Sequence, residues 1–213
     1  MDLKHEVKSS VKDENLIEKR REQIIEGAVK LFKEKGFHRA TTREIAKAAG
    51  FSIGTLYEYI RTKEDVLYLV CDSIYNEVQS RLSNALDQEG TVEGLRLAIG
   101  TYFRLIDDMS DEFVVMYQES KSLPKDALEY VTNKEMEMVA LFKNLIHKCV
   151  TAGEMRITED AVDMAAHHLV VQGQMWAFRR WAIRSSYSID DFICLQTDQL
   201  LNGLVKRIVS VPV

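Results

Sequence analysis

The 213-residue sequence has few helix breakers, with 2 Pro and 10 Gly, and this scarcity excludes collagen-like, Pro-rich and Gly-rich repeat architectures. Its 3 Cys are odd in number and far apart, at Cys71, Cys149 and Cys194. They draw neither a disulfide framework nor a paired-cysteine zinc motif, and each is expected to be a reduced core thiol in an apolar helical stretch. No run approaches the roughly 18 unbroken apolar residues of a membrane helix, so no membrane span is expected. The opening Met1-Asp2-Leu3-Lys4-His5-Glu6 lacks the basic region and apolar core of a secretory signal, which points to a cytoplasmic protein. A Gly-rich phosphate loop and an activated-serine motif are missing as well. One cluster remains for metal or acid-base chemistry, His167-His168 with Glu159, Asp160 and Asp163. Neighbouring histidines on a helix point about 100° apart and do not face one ion without a break. The expectation is therefore no metal, no cofactor and no enzyme.

What is present is a hydrophobic fraction of 46% beside 29% charged residues, the balance of a compact helical chain. The net charge is −5, but it is unevenly spread. Residues 1–64 hold 14 Lys and Arg against 11 Asp and Glu, a net +3, whereas the remainder holds 14 against 22, a net −8. The N-terminal part is thus the candidate for meeting phosphates, and the acidic part is repelled by them.

Periodicity divides the chain into a flexible arm over 1–17, a small head over 18–64 and a larger helical body over 65–213. In the head a stripe begins at Glu18 with Ile24, Ala28 and Leu31 at helical steps, and Gly36 ends it. Thr41-Thr42-Arg43-Glu44 forms a capping box that opens a short second helix ending at Gly50. Ser52 caps a third helix from Ile53 to about Ile60. Helices are then expected over 63–86, 92–109, 111–121, 125–152, 158–184 and 189–209. The one strand-like run, Ile208 to Val213, is too short for a sheet.

The segment 42–59 has the spacing of a helix-turn-helix. Ala46 is the small residue where two helices cross, and Gly50, four residues on, tolerates the left-handed backbone of the turn. Ile45, Ile53 and Leu56 would fill the little core.

Residues 20–67 run from Arg-Arg-Glu-Gln-Ile-Ile-Glu-Gly-Ala-Val-Lys-Leu-Phe, through Thr-Thr-Arg-Glu-Ile-Ala-Lys-Ala-Ala-Gly, to Gly-Thr-Leu-Tyr-Glu-Tyr-Ile-Arg-Thr-Lys-Glu-Asp-Val-Leu. They resemble the DNA-binding domain of TetR-family transcriptional regulators. Ile60 departs from the aromatic residue usual there but remains apolar. The resemblance implies an all-α fold, a three-helix DNA reader joined to a larger ligand-binding and dimerisation domain. The third helix would lie in the major groove, where Gly54 lets the backbone approach. Ser52, Ile53, Thr55 and Tyr57 to Tyr59 are then the reading candidates. Tyr57 and Tyr59 match family positions that contact DNA, and Glu58 is a variable position suited to a cytosine amino group. Thr41, Thr42 and Arg43 at the start of the second helix, and Lys63 at the start of the fourth, match backbone-clamping positions that set register. Two readers on an inverted-repeat operator in double-stranded DNA imply a homodimer, with helices 158–184 and 189–209 forming a four-helix bundle with the symmetry mate.

The body concentrates soft and aromatic side chains. Met109, Phe113, Met116, Tyr117, Met138, Phe142, Met175 and Trp176 are candidates for an adaptable apolar pocket. His168, Gln172, Met175 and Arg179 follow one another at helical steps and offer a polar end for a ligand. The runs Tyr117 to Pro124 and Phe178 to Trp181 resemble TetR-like regulators of fatty-acid or acyl-coenzyme A metabolism, which implies a small apolar effector of that class. A drug-sensing repressor of an efflux system and a constitutive dimeric DNA-binding protein are the alternatives.

Overall fold

The computed structural model describes residues 6–86 and 90–204. All regular structure among them is helical: α1 Glu14–Lys35, α2 Thr42–Ala48, α3 Ile53–Tyr59, α4 Lys63–Leu86, α5 Val92–Asp108, α6 Ser110–Glu119, α7 Lys125–Thr151, α8 Glu159–Phe178, α9 Arg180–Ile183 and α10 Ile189–Leu204, with one 3₁₀ turn at Ser120–Ser122. The end of the last expected helix and the strand-like tail lie outside the described residues. No described helix is long and apolar enough to cross a membrane.

The chain divides into two compact units, the first Met1–Asn76 with Met109–Glu135 and the second Glu77–Asp108 with Met136–Val213. In the first, Ile24, Ala28, Phe32, Ile45, Ala46, Leu56, Ile60, Val66 and Leu67 form a buried core. Gly27 supplies the closest approach of α1 to α2, since a Cβ there would lie 2.9 Å from Ala49 N. Gly50 takes φ +78°, the left-handed turn that the spacing required. Helix α6 fastens to the end of α1: Lys33 Nζ pairs with Asp111 Oδ2 at 2.7 Å, and Phe37 N donates to Glu119 Oε1 at 3.1 Å. A buried carboxylate, Asp72 on α4, accepts from Tyr130 Oη of α7 at 2.6 Å.

Three expectations are corrected here. Helix α1 begins at Glu14, because Asp13 caps it by accepting from Leu16 N at 3.2 Å. The preceding residues 6–13, expected as part of a flexible arm, are fastened to α3: Ser10 N donates to Glu58 O at 2.9 Å, and Val7 is buried. Helix 158–184 is broken at Arg179 into α8 and α9. The break brings Arg184 onto Asp107, at 2.7 Å, where Trp176 Nε1 also donates at 2.8 Å.

In the second unit α5, α8 and α10 pack together around Tyr102, Phe103, Phe142, Trp176 and Phe192. Val162, Ala166, Leu169, Val170 and Gly173 of α8, with Phe192 and Leu200 of α10, face this core. Met164 and Val171 of α8 and Leu195 of α10 lie exposed. Two acidic residues of the histidine cluster engage α7: Lys143 Nζ pairs with Asp163 Oδ1 at 3.0 Å, and His147 Nε2 lies 3.2 Å from Glu159 Oε1.

Candidate nucleic-acid interface

The head builds its interface from caps. In α2 the Thr41 hydroxyl accepts from Glu44 N at 3.3 Å and donates to Glu44 Oε2 at 2.7 Å, while Thr41 N donates to the same carboxylate oxygen at 3.0 Å. Lys35 Nζ reaches Glu44 Oε1 at 2.5 Å. The Lys35 hydrogen bond, then those from Thr41, hold the Glu44 carboxyl down to about 2. Thr41 is therefore consumed in fixing where α2 starts. In α3 the Ser52 hydroxyl accepts from Thr55 N at 3.0 Å and lies 3.0 Å from Thr55 Oγ1.

This arrangement sorts the reading candidates. Ile53, at 36% exposure, projects outward and leaves the core to Ile45 and Leu56, a correction explained by its place in the first turn of α3, where the inward position belongs to Leu56. A Cβ on Gly54 would meet only Ser52 Oγ, at 3.7 Å, so the surface beside it is open. Tyr57 is 49% exposed, and its hydroxyl lies 3.2 Å from Thr42 Oγ1, joining α2 to α3 across the outward face. Glu58 and Arg43 are exposed beside them. Tyr59 differs: it is 4% exposed, its ring 6.5 Å from that of Phe51. Tyr57 and Tyr59 lie two residues apart on a helix, about 200° around the axis, so when one faces out the other faces in.

Lys63 is engaged within the head. Its ammonium donates to Phe37 O at 2.8 Å, Ala40 O at 3.0 Å and His38 O at 3.4 Å, and lies 4.3 Å from the Phe37 ring centroid. All three N–H groups of the lysine point into the α1–α2 connection. Arg21, which sequence reasoning did not single out, plays a similar part by donating to Val7 O and Tyr59 O. Desolvation lowers its pKa, while Asp65 and Asp72 act in the opposite sense.

The expected ligand residues fall in both units. Met109, Phe113, Met116 and Tyr117 belong to the first. There Phe113 and Met116 are buried, Met116 Sδ accepts from Tyr75 Oη at 3.3 Å, and Tyr117 is 69% exposed. In the second unit Met138, Phe142 and Trp176 are packed core, with Phe142 5.3 Å from the Tyr102 ring and Trp176 4.9 Å from Phe192. His168 and Gln172 lie instead on an open groove of about 360 Å³ between α8 and α10, with Ala161, Met164, Ala165, Gln199 and Leu200. Met175 is half-buried, and Arg179 is exposed with its guanidinium 5.6 Å from the Trp181 ring centroid. The row on α8 does share one side of the helix, as its spacing requires. Its upper part meets a groove rather than an enclosed cavity, because Leu169, Val170 and Gly173 occupy the inward side.

A 22-residue helix followed by two short ones, with a left-handed glycine between the second and third and an α3 presenting Gly54, Tyr57 and Glu58 to solvent, defines a helix-turn-helix DNA-binding protein. Residues 24–68 match the model of bacterial regulatory proteins of the tetR family, and residues 88–177 match that of the tetracyclin repressor-like C-terminal domain. The chain belongs to the TetR family of transcriptional regulators, a family of regulators and not of enzymes. It is 29% identical over 188 residues to the HTH-type transcriptional regulator HbdR of Aromatoleum sp. (strain CIB), covering 88% of this chain and 81% of that protein. Its fold is similar to that of AibR solved with isovaleryl coenzyme A and operator DNA, with TM-score 0.72, 18% identity, and coverage of 84% of this chain and 97% of that one. It is also similar to FadR of Bacillus subtilis solved with stearoyl-CoA, with TM-score 0.67, 22% identity, and coverage of 87% and 97%.

Proposed function

We propose that the protein is a ligand-responsive repressor that binds an inverted-repeat operator as a homodimer and is released by an acyl-coenzyme A or fatty acid. The observation that carries the reading is the outward face of α3 and α2, where Ser52, Gly54, Tyr57 and Glu58 are exposed beside exposed Arg43 and half-buried Thr42 and Thr55, and Tyr57 Oη lies 3.2 Å from Thr42 Oγ1. A surface of hydroxyls, one carboxylate and one arginine is suited to base edges and phosphates in a major groove.

A single reader with so few cations binds weakly, and pairing two on one site raises affinity into the specific range. The pairing surface in this reading is the α8–α10 face, where Met164, Val171 and Leu195 are exposed. The effector class rests on likeness to proteins solved with acyl-coenzyme A ligands, together with the aromatic and aliphatic filling of the second unit around Tyr102, Phe103 and Phe142. Effector binding shifts the population towards an arrangement in which the two readers no longer match the half-site spacing.

The test is selection of operator fragments from random duplex by the purified protein, followed by displacement with a panel of acyl-coenzyme A species, free fatty acids and cationic drugs. Enrichment of one palindrome and its release by the acyl panel support the reading. Equal binding to palindromic and random duplex at physiological salt overturns the regulator reading, and release by drugs alone overturns the effector class.

A further inference from the structure

A helix seated in a major groove about 12 Å wide has a phosphate ridge on either side. Helix α3 supplies no cation for those ridges, since its sequence Ile53 to Tyr59 holds one carboxylate and no basic residue. Much of the positive charge around it is already engaged. Lys63 is held by the carbonyls of residues 37, 38 and 40, Arg21 by those of Val7 and Tyr59, Lys35 by Glu44 and Lys33 by Asp111. Arg20 donates to Gln23 and lies over the Phe51 ring.

The segment 6–13 is built onto the end of that helix. The last carbonyls of any helix lack intrahelical partners, and here the segment supplies them. Glu58 O accepts from Ser10 N at 2.9 Å, Ser9 Oγ at 2.8 Å and Ser10 Oγ at 3.3 Å. Val11 N donates to Ser9 Oγ at 3.1 Å, which folds the segment over itself, and Val7 is buried with its carbonyl on Arg21. Lys8 and Lys12 flank this fastening, both exposed and without an ion pair among the described residues. Each lies two residues from Ser10, within about 7 Å of it along the chain. Asp13, next to Lys12 in the chain, is turned onto Leu16 N as the cap of α1.

We infer that residues 6–13 form part of the DNA-contacting surface, with Lys8 and Lys12 neutralising backbone phosphates beside the groove that α3 enters. A chain fastened to the end of the reading helix emerges next to a phosphate ridge, and lysines there add affinity without reading sequence. Ser9 and Ser10 are positioning residues that hold the lysines in place. This role rests on the operator-binding reading above.

The experiment uses the full chain and the operator it selects, with binding measured by fluorescence anisotropy from about 50 to 200 mM salt, the range over which phosphate contacts are most visible. K8A/K12A is expected to flatten the plot of log affinity against log salt by roughly 2 per protomer, at about 0.9 for each phosphate lost. Affinity at physiological salt should fall about tenfold or more, with the ranking of operator variants unchanged. S9A/S10A keeps both charges and is expected to flatten the plot by less, while K8R/K12R keeps the wild-type slope. Thermal unfolding of K8A/K12A should match wild type, because both side chains are exposed. A wild-type slope and affinity in K8A/K12A overturns the arm's role while leaving the regulator reading intact. Failure of the wild-type chain to select any palindrome overturns the regulator reading, and the arm's role with it.

Discussion

Replacing Lys63 by Met separates two roles that a lysine at this position can play. Met keeps the apolar stem against Phe37 and removes the ammonium that donates to Phe37 O at 2.8 Å and Ala40 O at 3.0 Å. A hydrogen bond to a charged group contributes about 1.5–3 kcal/mol net, and a cation over an aromatic ring at a partly exposed site about 0.5–1 kcal/mol. Lys63 is half-buried, so water replaces part of what is lost. Together these give a destabilisation of about 2 kcal/mol, which corresponds to roughly a 30-fold increase in the local opening equilibrium. The two tryptophans, Trp176 and Trp181, lie in the second unit, so their fluorescence does not report on this event. Amide hydrogen exchange does: amides from residue 37 through α2 should exchange about 30-fold faster in Lys63→Met than in wild type, while those of α8 are unchanged. The slope of operator affinity against salt should stay at its wild-type value, since no phosphate contact is removed. Unchanged exchange combined with a slope flattened by about 0.9 per protomer, one phosphate contact each, would refute the capping role and restore Lys63 to the DNA backbone.

Tyr57→Ala should weaken operator binding about tenfold, the scale of one lost specific contact, with no change in thermal midpoint, whereas Tyr59→Ala should destabilise the head by about 3 kcal/mol through the cavity it leaves; exchanged phenotypes would mean that α3 is rotated. Gly27→Ala sets a Cβ 2.9 Å from Ala49 N and should cost about 1–3 kcal/mol by overpacking, read as faster exchange across α1 and α2. The Glu44 carboxyl is held from the ordinary 4.5 down to about 2 by Lys35 and Thr41. Its stabilisation of the α2 cap is complete above the unfolded value and fades as pH falls through the folded one, so α2 amides should lose protection between these limits in wild type and show no such step in Glu44→Gln. Burial and Asp72 push the Cys71 thiol up to about 12, and burial raises Cys149 as well. Cys194, expected in the core with the other two, is instead exposed, so a disulfide reagent at pH 8 should modify it rapidly and Cys71 and Cys149 only on unfolding.

Local rules made most of the helices legible. The capping box at Thr41, the Ser52 cap and the positive φ of Gly50 each depend on residues within four positions of one another, and each was foreseen where it occurs. What escaped depends on distant partners. The Asp107 carboxylate that receives Trp176 and Arg184 is 69 and 77 residues from them, and nothing in the uninterrupted helical pattern of 158–184 marks the break it accompanies. The carbonyls that occupy Lys63 lie 23–26 residues upstream. A lysine at a helix start carries the same local signature whether it faces a phosphate or its own backbone. Residues 6–13 offered a weak clue in Ser9-Ser10, two hydroxyls suited to capping, but the acceptor Glu58 O is 48 residues away.

The ligand candidates show a different limit. Helical spacing established which side chains share a side of α8, and His168 and Gln172 do lie together. It could not establish whether Phe142 and Trp176 line a space or fill one, because an aromatic ring satisfies the same apolar periodicity in both cases. The difference lies in volume, set by whether Tyr102, Phe192 and the glycine at 173 leave room. Here a Cβ on Gly173 would lie 2.7–2.9 Å from Ile106, Tyr102 and Phe103, so α8 presses against α5 without space for a methyl group. An acyl chain entering between α8 and α5 beside Gly173 would have to displace aromatic side chains from their present packing. A ligand seated there would favour one arrangement of this core over another, the differential affinity that any ligand needs in order to shift a protein between states.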